Sequence, residues 1–120
     1  MKKWEVQGNG IDTLKIINNV TSKELGDNEV LVNMKAATLN YRDLIMIAGG
    51  YGDIGGVPPF VPISDGSGIV VKLGKKVSKF KVGNIIIPPF FNDWDSGKIK
   101  ESTVLSALGG KIDGVMQEYM

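Results

Sequence analysis

Glycine and short apolar runs alternate between Pro59 and Ile87, and this stretch limits what the chain can fold into more than any other. Each glycine inside a helix costs about 1 kcal/mol relative to alanine, so the glycine density excludes a helix. Valine, isoleucine and phenylalanine favour a pleated, half-buried surface, while glycine marks bends and close backbone approach. The stretch therefore predicts the sharp corner of a small β-barrel, built from a strand over Gly68–Leu73, a turn over Gly74–Lys76, an extended return past Phe80 and a strand over Asn84–Pro88.

Outside this corner, the alternation of apolar and polar residues predicts further strands. An opening hairpin would pair strands at Trp4–Val6 and Leu14–Ile16 across a turn at Gly8–Gly10, whose residues accept positive φ. A polar loop then leads to a long strand over Glu29–Ala37. Residues Val115–Met120 begin another strand.

Two short helices are predicted from the residues at their ends. Asn40 is a favourable N-cap, and Asp43 lies three residues on, where a carboxylate favours a helix N-terminus. Gly49 and Gly50 would end this helix. A second short helix is predicted over Ser102–Leu108.

Composition excludes several classes of function. The 120 residues suit one domain, and the net charge of +1 predicts no attraction to nucleic acid or to an anionic membrane. The absence of cysteine and histidine excludes disulfides and Ser–His or Cys–His nucleophiles, and makes a zinc site unexpected. No apolar signal core follows Met1, and no run approaches the ~18 apolar residues of a membrane span. We therefore expect a cytoplasmic protein that binds no membrane.

The short glycine motifs do not match nucleotide-binding fingerprints. Gly66-Ser67-Gly68 lacks the third glycine, and a strand follows where a helix should begin. Asn92–Gly97 resembles a calcium loop, but Trp94 occupies a position that needs an oxygen ligand. We therefore predict no metal site.

Two interpretations of the segment Asn40-Tyr41-Arg42-Asp43 are open. Capping alone explains the residues at its two ends. The alternative is that the segment projects into a cleft at the helix N-terminus, where hydrogen-bond donors converge.

Three aromatic residues are also candidates. Tyr51 is either a packing anchor in the glycine- and proline-rich loop Gly49–Asp65, which we expect to fold over a cleft, or a donor to a carbonyl that becomes an enolate or alkoxide. Phe91 and Trp94 either pack at a rim or line an apolar pocket.

Four motifs follow one another in the order and spacing of a known domain: Thr38–Leu44, Pro59–Val70, Val77–Asn84 and Leu108–Tyr119. Together they resemble the GroES-like N-terminal catalytic domain of the medium-chain dehydrogenase/reductase superfamily. Within it they are most similar to the zinc-independent, quinone-oxidoreductase-like alcohol dehydrogenase branch. The resemblance covers essentially the whole chain and implies a mainly β, partly open barrel with one or two short helices.

The resemblance implies that residues 1–120 form a single domain, the substrate-side part of an NAD(P)H-dependent oxidoreductase of quinone, enone or carbonyl/alcohol substrates. The family's Rossmann NAD(P)-binding domain is absent from the chain, so we expect neither tight cofactor binding nor turnover by this chain alone. Apolar surface intended for that domain would be exposed and would favour a homodimer. The alternative is a stand-alone binding or assembly module without catalysis.

The resemblance also implies roles for single residues. Asn40, Tyr41, Arg42 and Asp43 would lie at the cofactor, with Asn40 and Arg42 positioning polar groups of the nicotinamide or substrate, and Asp43 ordering the helix start. Tyr51 would stabilise a developing oxyanion and act with Asn40 in catalysis. Phe91 and Trp94, together with Tyr51, would form the substrate pocket.

The chain departs from the family pattern where zinc-containing relatives bind their metal. A cysteine is expected at Asn40 and a histidine at Ser64, so the resemblance implies that the enzyme is zinc-independent. The usual glycine before Ser64 is Ile63, and the usual aspartate after Gly83 is Asn84. These two changes affect the expected geometry of the barrel corner.

Overall fold

A computed structural model describes all residues, 1–120, as a mainly β fold with two short helices. The elements in chain order are β1 (Lys3–Val6), β2 (Leu14–Ile17), β3 (Val30–Thr38), α1 (Tyr41–Ile47), β4 (Asp65–Leu73), β5 (Ile85–Ile86) and α2 (Glu101–Val104), with 3-10 turns at Ile11–Thr13 and Gly52–Ile54. Strands β1 and β2 form one antiparallel sheet, and β3, β4 and β5 form a second in that order. The two sheets do not close into a complete barrel, as expected for a GroES-like domain.

The opening hairpin is confirmed. Trp4 pairs with Ile16 and Val6 pairs with Leu14, so the predicted apolar positions face each other across the hairpin. The hydroxyl of Thr13 shares its one hydrogen between the carbonyls of Gly8 and Gly10, at 3.0 and 2.7 Å, and closes the connecting turn.

The corner of the fold is the long antiparallel pair β3–β4. Its register shifts between Met34 and Ala36, and Gly68 lies opposite this bulge. A Cβ atom at Gly68 would lie 2.6 Å from the carbonyl oxygen of Asn33, so only glycine permits this approach. Strand β4 begins at Asp65, three residues before the predicted start. Strand β5 is shorter than predicted because the prolines that follow it have no N–H to donate.

The first helix is confirmed over Tyr41–Ile47, and the second is shorter than predicted. Helix α2 starts at Glu101, where the N–H of Lys100 donates to the hydroxyl of Thr103 at 3.3 Å. The predicted end at Leu108 is wrong, because the N–H of Leu108 donates to the carbonyl of Phe90 at 3.0 Å and the backbone leaves the helical path. Neither helix has the length and apolar composition needed to cross a membrane.

The last residues connect the two sheets rather than forming a regular strand. On one side the N–H of Trp4 donates to the carbonyl of Met116 at 2.8 Å. On the other side Val32 and Met120 exchange backbone hydrogen bonds of 2.8 and 3.0 Å. The predicted strand over Val115–Met120 is therefore not formed as a regular strand. Isolated bridges from this segment connect β1 to β3 instead.

A small apolar core holds the hairpin, α1 and the loop Gly49–Asp65 together. It consists of Val6, Met46, Ile47 and Phe60, with Leu14 and Tyr51 packed against it. Val6 and Phe60 exchange two backbone hydrogen bonds, of 2.9 and 3.3 Å. The loop is therefore packed onto β1 and α1, which accounts for its many apolar residues.

Ile63 occupies an unusual backbone conformation. Its φ angle is 72°, in the left-handed region, although it is β-branched and only 3% exposed. This conformation costs an L-residue with a Cβ roughly 1–2 kcal/mol. The family resemblance implies glycine here, a residue that accepts a positive φ without this cost. Burial of the isoleucine side chain opposes the strain.

Replacement of a residue by alanine usually gives a more stable protein than replacement by glycine. We predict that this order of stability is reversed at Ile63. Both Ile63→Ala and Ile63→Gly lose the buried side chain, but only glycine relieves the strain, so Ile63→Gly is expected to be about 1 kcal/mol more stable than Ile63→Ala. Val32 is the matched control, because it is also 3% exposed and has no positive φ. Urea unfolding of the four variants measures the difference. If the alanine variant were more stable than the glycine variant at both positions, the inference that the backbone of Ile63 is strained would be wrong.

Candidate functional site

The candidate site lies where the end of β3 meets the start of β4. Thr38 pairs with Asp65 in this ladder, and the chain then turns into α1 through Asn40. Asn40 is the N-cap of α1, with extended backbone angles. The turn therefore brings the start of the helix beside the first residue of β4.

Three polar side chains meet at this point through one carboxylate oxygen. The Asn40 side-chain N–H donates to Oδ2 of Asp65 at 2.6 Å, and the Ser64 hydroxyl donates to the same oxygen at 2.5 Å. Ser64 is completely buried, whereas Asn40 is exposed. The cluster is thus anchored from inside the fold and open on its outer side. Sequence reasoning missed Asp65, although it directly follows Ser64 in the motif that carried the resemblance.

Asp43 is a buried carboxylate next to this cluster. Its Oδ2 accepts a 2.8 Å hydrogen bond from the backbone N–H of Asn40, while its Oδ1 is buried without a hydrogen-bond partner. The nearest cation to Oδ1 is Arg42, whose Nη1 lies 3.7 Å away. Burial raises the pKa of Asp43, outweighing the Asn40 hydrogen bond and the charge of Arg42, which lower it. The predicted role of Asp43 in ordering the helix start agrees with this geometry.

Arg42 joins three parts of the chain. Its Nη1 donates to the carbonyl oxygen of Leu108 at 3.1 Å. Its guanidinium carbon lies 4.8 Å from the ring centroid of Phe90 and 5.9 Å from that of Tyr51. Such cation–π contacts contribute about 0.5–2 kcal/mol each. Arg42 therefore has a structural role, and its assignment to the cofactor stays a prediction.

The predicted pocket aromatics belong to one row of rings. Phe90 packs edge-on against Phe91 with centroids 4.7 Å apart, and Phe91 packs edge-on against Trp94 at 6.4 Å. The indole N–H of Trp94 donates to the carbonyl of Gly97 at 3.2 Å, and the residue remains 44% exposed. Tyr51 joins this row only through Arg42. Phe90 was missed, although it stands beside Phe91 in the sequence.

Tyr41 is the outermost of the predicted site residues. It is 80% exposed. Leu39 and Leu44, on either side of it, are 75% and 58% exposed. The start of α1 therefore presents apolar surface to its surroundings.

A large cavity is separate from these residues. It has a volume of about 720 Å³ and lies between the segment 20–32, the prolines after β5 and the last residues of the chain. Leu108 lines it, but Asn40, Tyr51 and Asp65 do not. The structure thus brings Asn40, Arg42, Asp43 and Tyr51 to one end of the fold without enclosing them in this cavity.

The polar cluster does not fit a zinc ion. A zinc site needs thiolate, imidazole or carboxylate ligands whose lone pairs point at one centre. Here Asn40 and Ser64 turn their N–H and O–H groups towards Asp65 and act as donors within the protein. No group of three or more His, Cys, Asp or Glu residues is placed to hold a metal ion.

This chain is similar to one known protein family and to several curated proteins. The family described as the alcohol dehydrogenase GroES-like domain matches residues 26–120. A zinc-type alcohol dehydrogenase-like protein of Schizosaccharomyces pombe is 42% identical over 113 residues, which are 92% of this chain and 32% of that protein. A chloroplastic NADPH-dependent alkenal/one oxidoreductase of Arabidopsis thaliana is 34% identical over 85 residues, 70% of this chain and 22% of that protein. The chain thus spans about a third or less of these relatives.

Solved structures show the same fold. A Sinorhizobium meliloti protein assigned as an alcohol dehydrogenase superposes with a TM-score of 0.83 and 34% identity, over 99% of this chain and 35% of that one. The Escherichia coli quinone oxidoreductase complexed with NADPH superposes with a TM-score of 0.64 and 25% identity, over 73% of this chain and 26% of that one.

We predict that charge at Asp43 lowers stability at neutral pH. The pKa of Asp43 is raised in the folded state, so between the unfolded and the folded pKa the folded protein holds a proton on Asp43 that the unfolded chain has lost. The free energy of unfolding therefore falls as the pH rises from the unfolded pKa through the folded pKa. Asp43→Asn removes the contribution of this residue to the pH dependence and keeps an oxygen for the Asn40 N–H, so it is expected to be at least as stable as the wild type at pH 7. Asp43→Ala leaves that N–H unpaired and is expected to cost about 1 kcal/mol.

Urea unfolding between pH 3.5 and 7.5 measures both Asp43 variants beside the wild type. A wild type whose stability rises with pH relative to Asp43→Asn would contradict the raised pKa. Equal loss of stability in both variants at pH 7 would show that the negative charge itself stabilises the helix start.

Proposed function

This chain belongs to the alcohol dehydrogenase GroES-like domain family, in the medium-chain dehydrogenase/reductase superfamily, and we propose that it is the substrate-side domain of a zinc-independent NAD(P)H-dependent oxidoreductase. Its substrates would be quinones, enones or carbonyl/alcohol pairs. Its partner would be a Rossmann domain that holds the dinucleotide. The exposed Leu39, Tyr41 and Leu44 are available for contact with that partner.

The observation that carries this proposal is the hydrogen-bonded cluster of Asn40, Ser64 and Asp65. The family resemblance places a zinc-binding cysteine and histidine at the first two positions. In this chain their polar atoms are directed at a carboxylate instead. Two similar proteins also bear on the cofactor, since one is named as an NADPH-dependent alkenal/one oxidoreductase and the other is a quinone oxidoreductase complexed with NADPH.

Without a metal, polarisation of the reacting carbonyl would rest on hydrogen-bond donors of this chain. The nicotinamide supplies the hydride when it is bound. Tyr51 is partly buried, and its hydroxyl makes no hydrogen bond within the domain, so it is free to donate to a developing oxyanion. Arg42, above the Tyr51 ring, would hold that ring in place. Phe91 and Trp94 would exclude water on the other side.

Asn40 would act beside Tyr51 at the reacting end of the substrate. One of its side-chain N–H groups is bound to Asp65 and its backbone N–H is bound to Asp43. These two contacts fix the residue before any ligand arrives. A preorganised polar group of this kind stabilises charge that develops in the transition state without first having to reorient.

The proposal is tested by assaying the protein encoded by the gene that contains residues 1–120, beside the isolated chain. NADPH and NADH are supplied with 1,4-benzoquinone or 3-buten-2-one, with and without a zinc chelator. We expect turnover by the longer protein that the chelator does not change. Tyr51→Phe is expected to lower kcat about a hundredfold, because it removes one oxyanion donor.

Tyr119→Phe is the matched control, because the Tyr119 hydroxyl accepts a hydrogen bond from Asn33 of β3 and has no part in the site. Loss of activity on chelation, or turnover by residues 1–120 alone, would contradict the proposal. A native product whose mass corresponds to residues 1–120 and that has no reductase activity would favour the stand-alone binding module.

A further inference from the structure

Asp65 has one carboxylate oxygen that the fold uses and one that it leaves free. Oδ2 accepts both hydrogen bonds of the cluster, from Asn40 and Ser64. Oδ1 accepts no hydrogen bond within the domain, and Asp65 is only partly buried. This oxygen is therefore available to a ligand.

The two donors on Oδ2 also fix the direction of the carboxylate. Ser64 is completely buried and approaches from within the fold, and Asn40 approaches from the start of α1. Asp65 itself is the first residue of β4, so its backbone is held by the pairing with Thr38. A carboxylate held at its backbone and at one oxygen presents the other oxygen with little loss of side-chain entropy on binding.

We propose that Oδ1 of Asp65 accepts a hydrogen bond from a hydroxyl group of the substrate, and that the site therefore selects substrates with a hydroxyl beside the reacting carbonyl. This inference rests on the proposed function for the identity of the reacting group. A carboxylate accepts but does not donate when it is ionised, so the ligand must supply the hydrogen. Asn40, the residue proposed to act at the carbonyl, is directly bonded to Asp65, which places the hydroxyl and the carbonyl close together.

A purely structural role for Asp65 makes a different prediction. The carbonyl oxygen of an asparagine would accept from Asn40 and Ser64 as Oδ2 does, so Asp65→Asn is expected to keep the fold. Its amide N–H₂ group would then replace the free Oδ1 and present donors to the ligand. The amide N–H₂ group would then face the hydroxyl hydrogen of the ligand, and two donors cannot form a hydrogen bond with each other. Recognition of the hydroxyl would be lost while the fold remains.

The test compares two ligands of nearly equal shape, hydroxyacetone and 2-butanone, by NMR titration of ¹⁵N-labelled residues 1–120. Hydroxyacetone is expected to bind about tenfold or more tightly than 2-butanone, with saturable shifts at Ser64, Asp65 and Gly66. In Asp65→Asn this preference is expected to disappear, and in the control Asp12→Asn, an exposed aspartate of the opening hairpin, it is expected to be unchanged.

Equal binding of the two ligands to the wild type, or a preference that survives in folded Asp65→Asn, would overturn the inference. The wild-type comparison decides the matter even if the variant unfolds. The titration uses no cofactor and no turnover, so it stands whether or not reductase activity is found. Where that activity is found, Asp65→Asn is expected to lower the ratio of kcat/KM for 1-hydroxy-3-buten-2-one to kcat/KM for 3-buten-2-one about tenfold.

Discussion

The structure depends on a close backbone contact between the segment before β4 and the segment before the last residues of the chain. Gly114 and Val115 donate hydrogen bonds of 2.8 Å to the carbonyls of Val61 and Ile63, and the Asp113 carboxylate accepts a 2.8 Å bond from the N–H of Val61. A Cβ at Gly114 would lie 2.1 Å from the Ile63 oxygen, so the contact requires glycine. It buries the residues that lead into Ser64 and Asp65, and so holds the candidate site in place.

The polar cluster is compact because Asn40 takes part in several contacts at once. Asn40 follows β3, caps α1 and donates to both Asp43 and Asp65 through different N–H groups. Two carboxylates are thereby held close to one residue, and the charge of Asp65 is one of the causes that raise the pKa of Asp43. A metal ion would balance such negative charge. In this chain the nearest cation to Asp43 is Arg42, whose Nη1 lies 3.7 Å from Oδ1 of Asp43. The same nitrogen also donates a hydrogen bond to the carbonyl oxygen of Leu108.

The sequence predicted those elements whose determinants are local. The hairpin and α1 follow from alternation and from residues at their own ends, and both are confirmed. The end of the second helix could not be predicted in this way, because the N–H of Leu108 bonds to Phe90, eighteen positions earlier in the chain. In the site, the motif identified Asn40 and Ser64, whereas the role of Asp65 depends on the directions of three side chains, which no spacing in the sequence reveals.

The position of Ile63 shows how a family pattern is informative where it is broken. The resemblance implies glycine there, and the backbone has a glycine-like φ of 72° with an isoleucine in place. The path of the chain is therefore set by its neighbours, chiefly by the hydrogen bond from Val115, rather than by the preference of the residue itself. The adjacent Ser64 is completely buried. A backbone path fixed in this way holds the Ser64 hydroxyl where it donates to the carboxylate of Asp65.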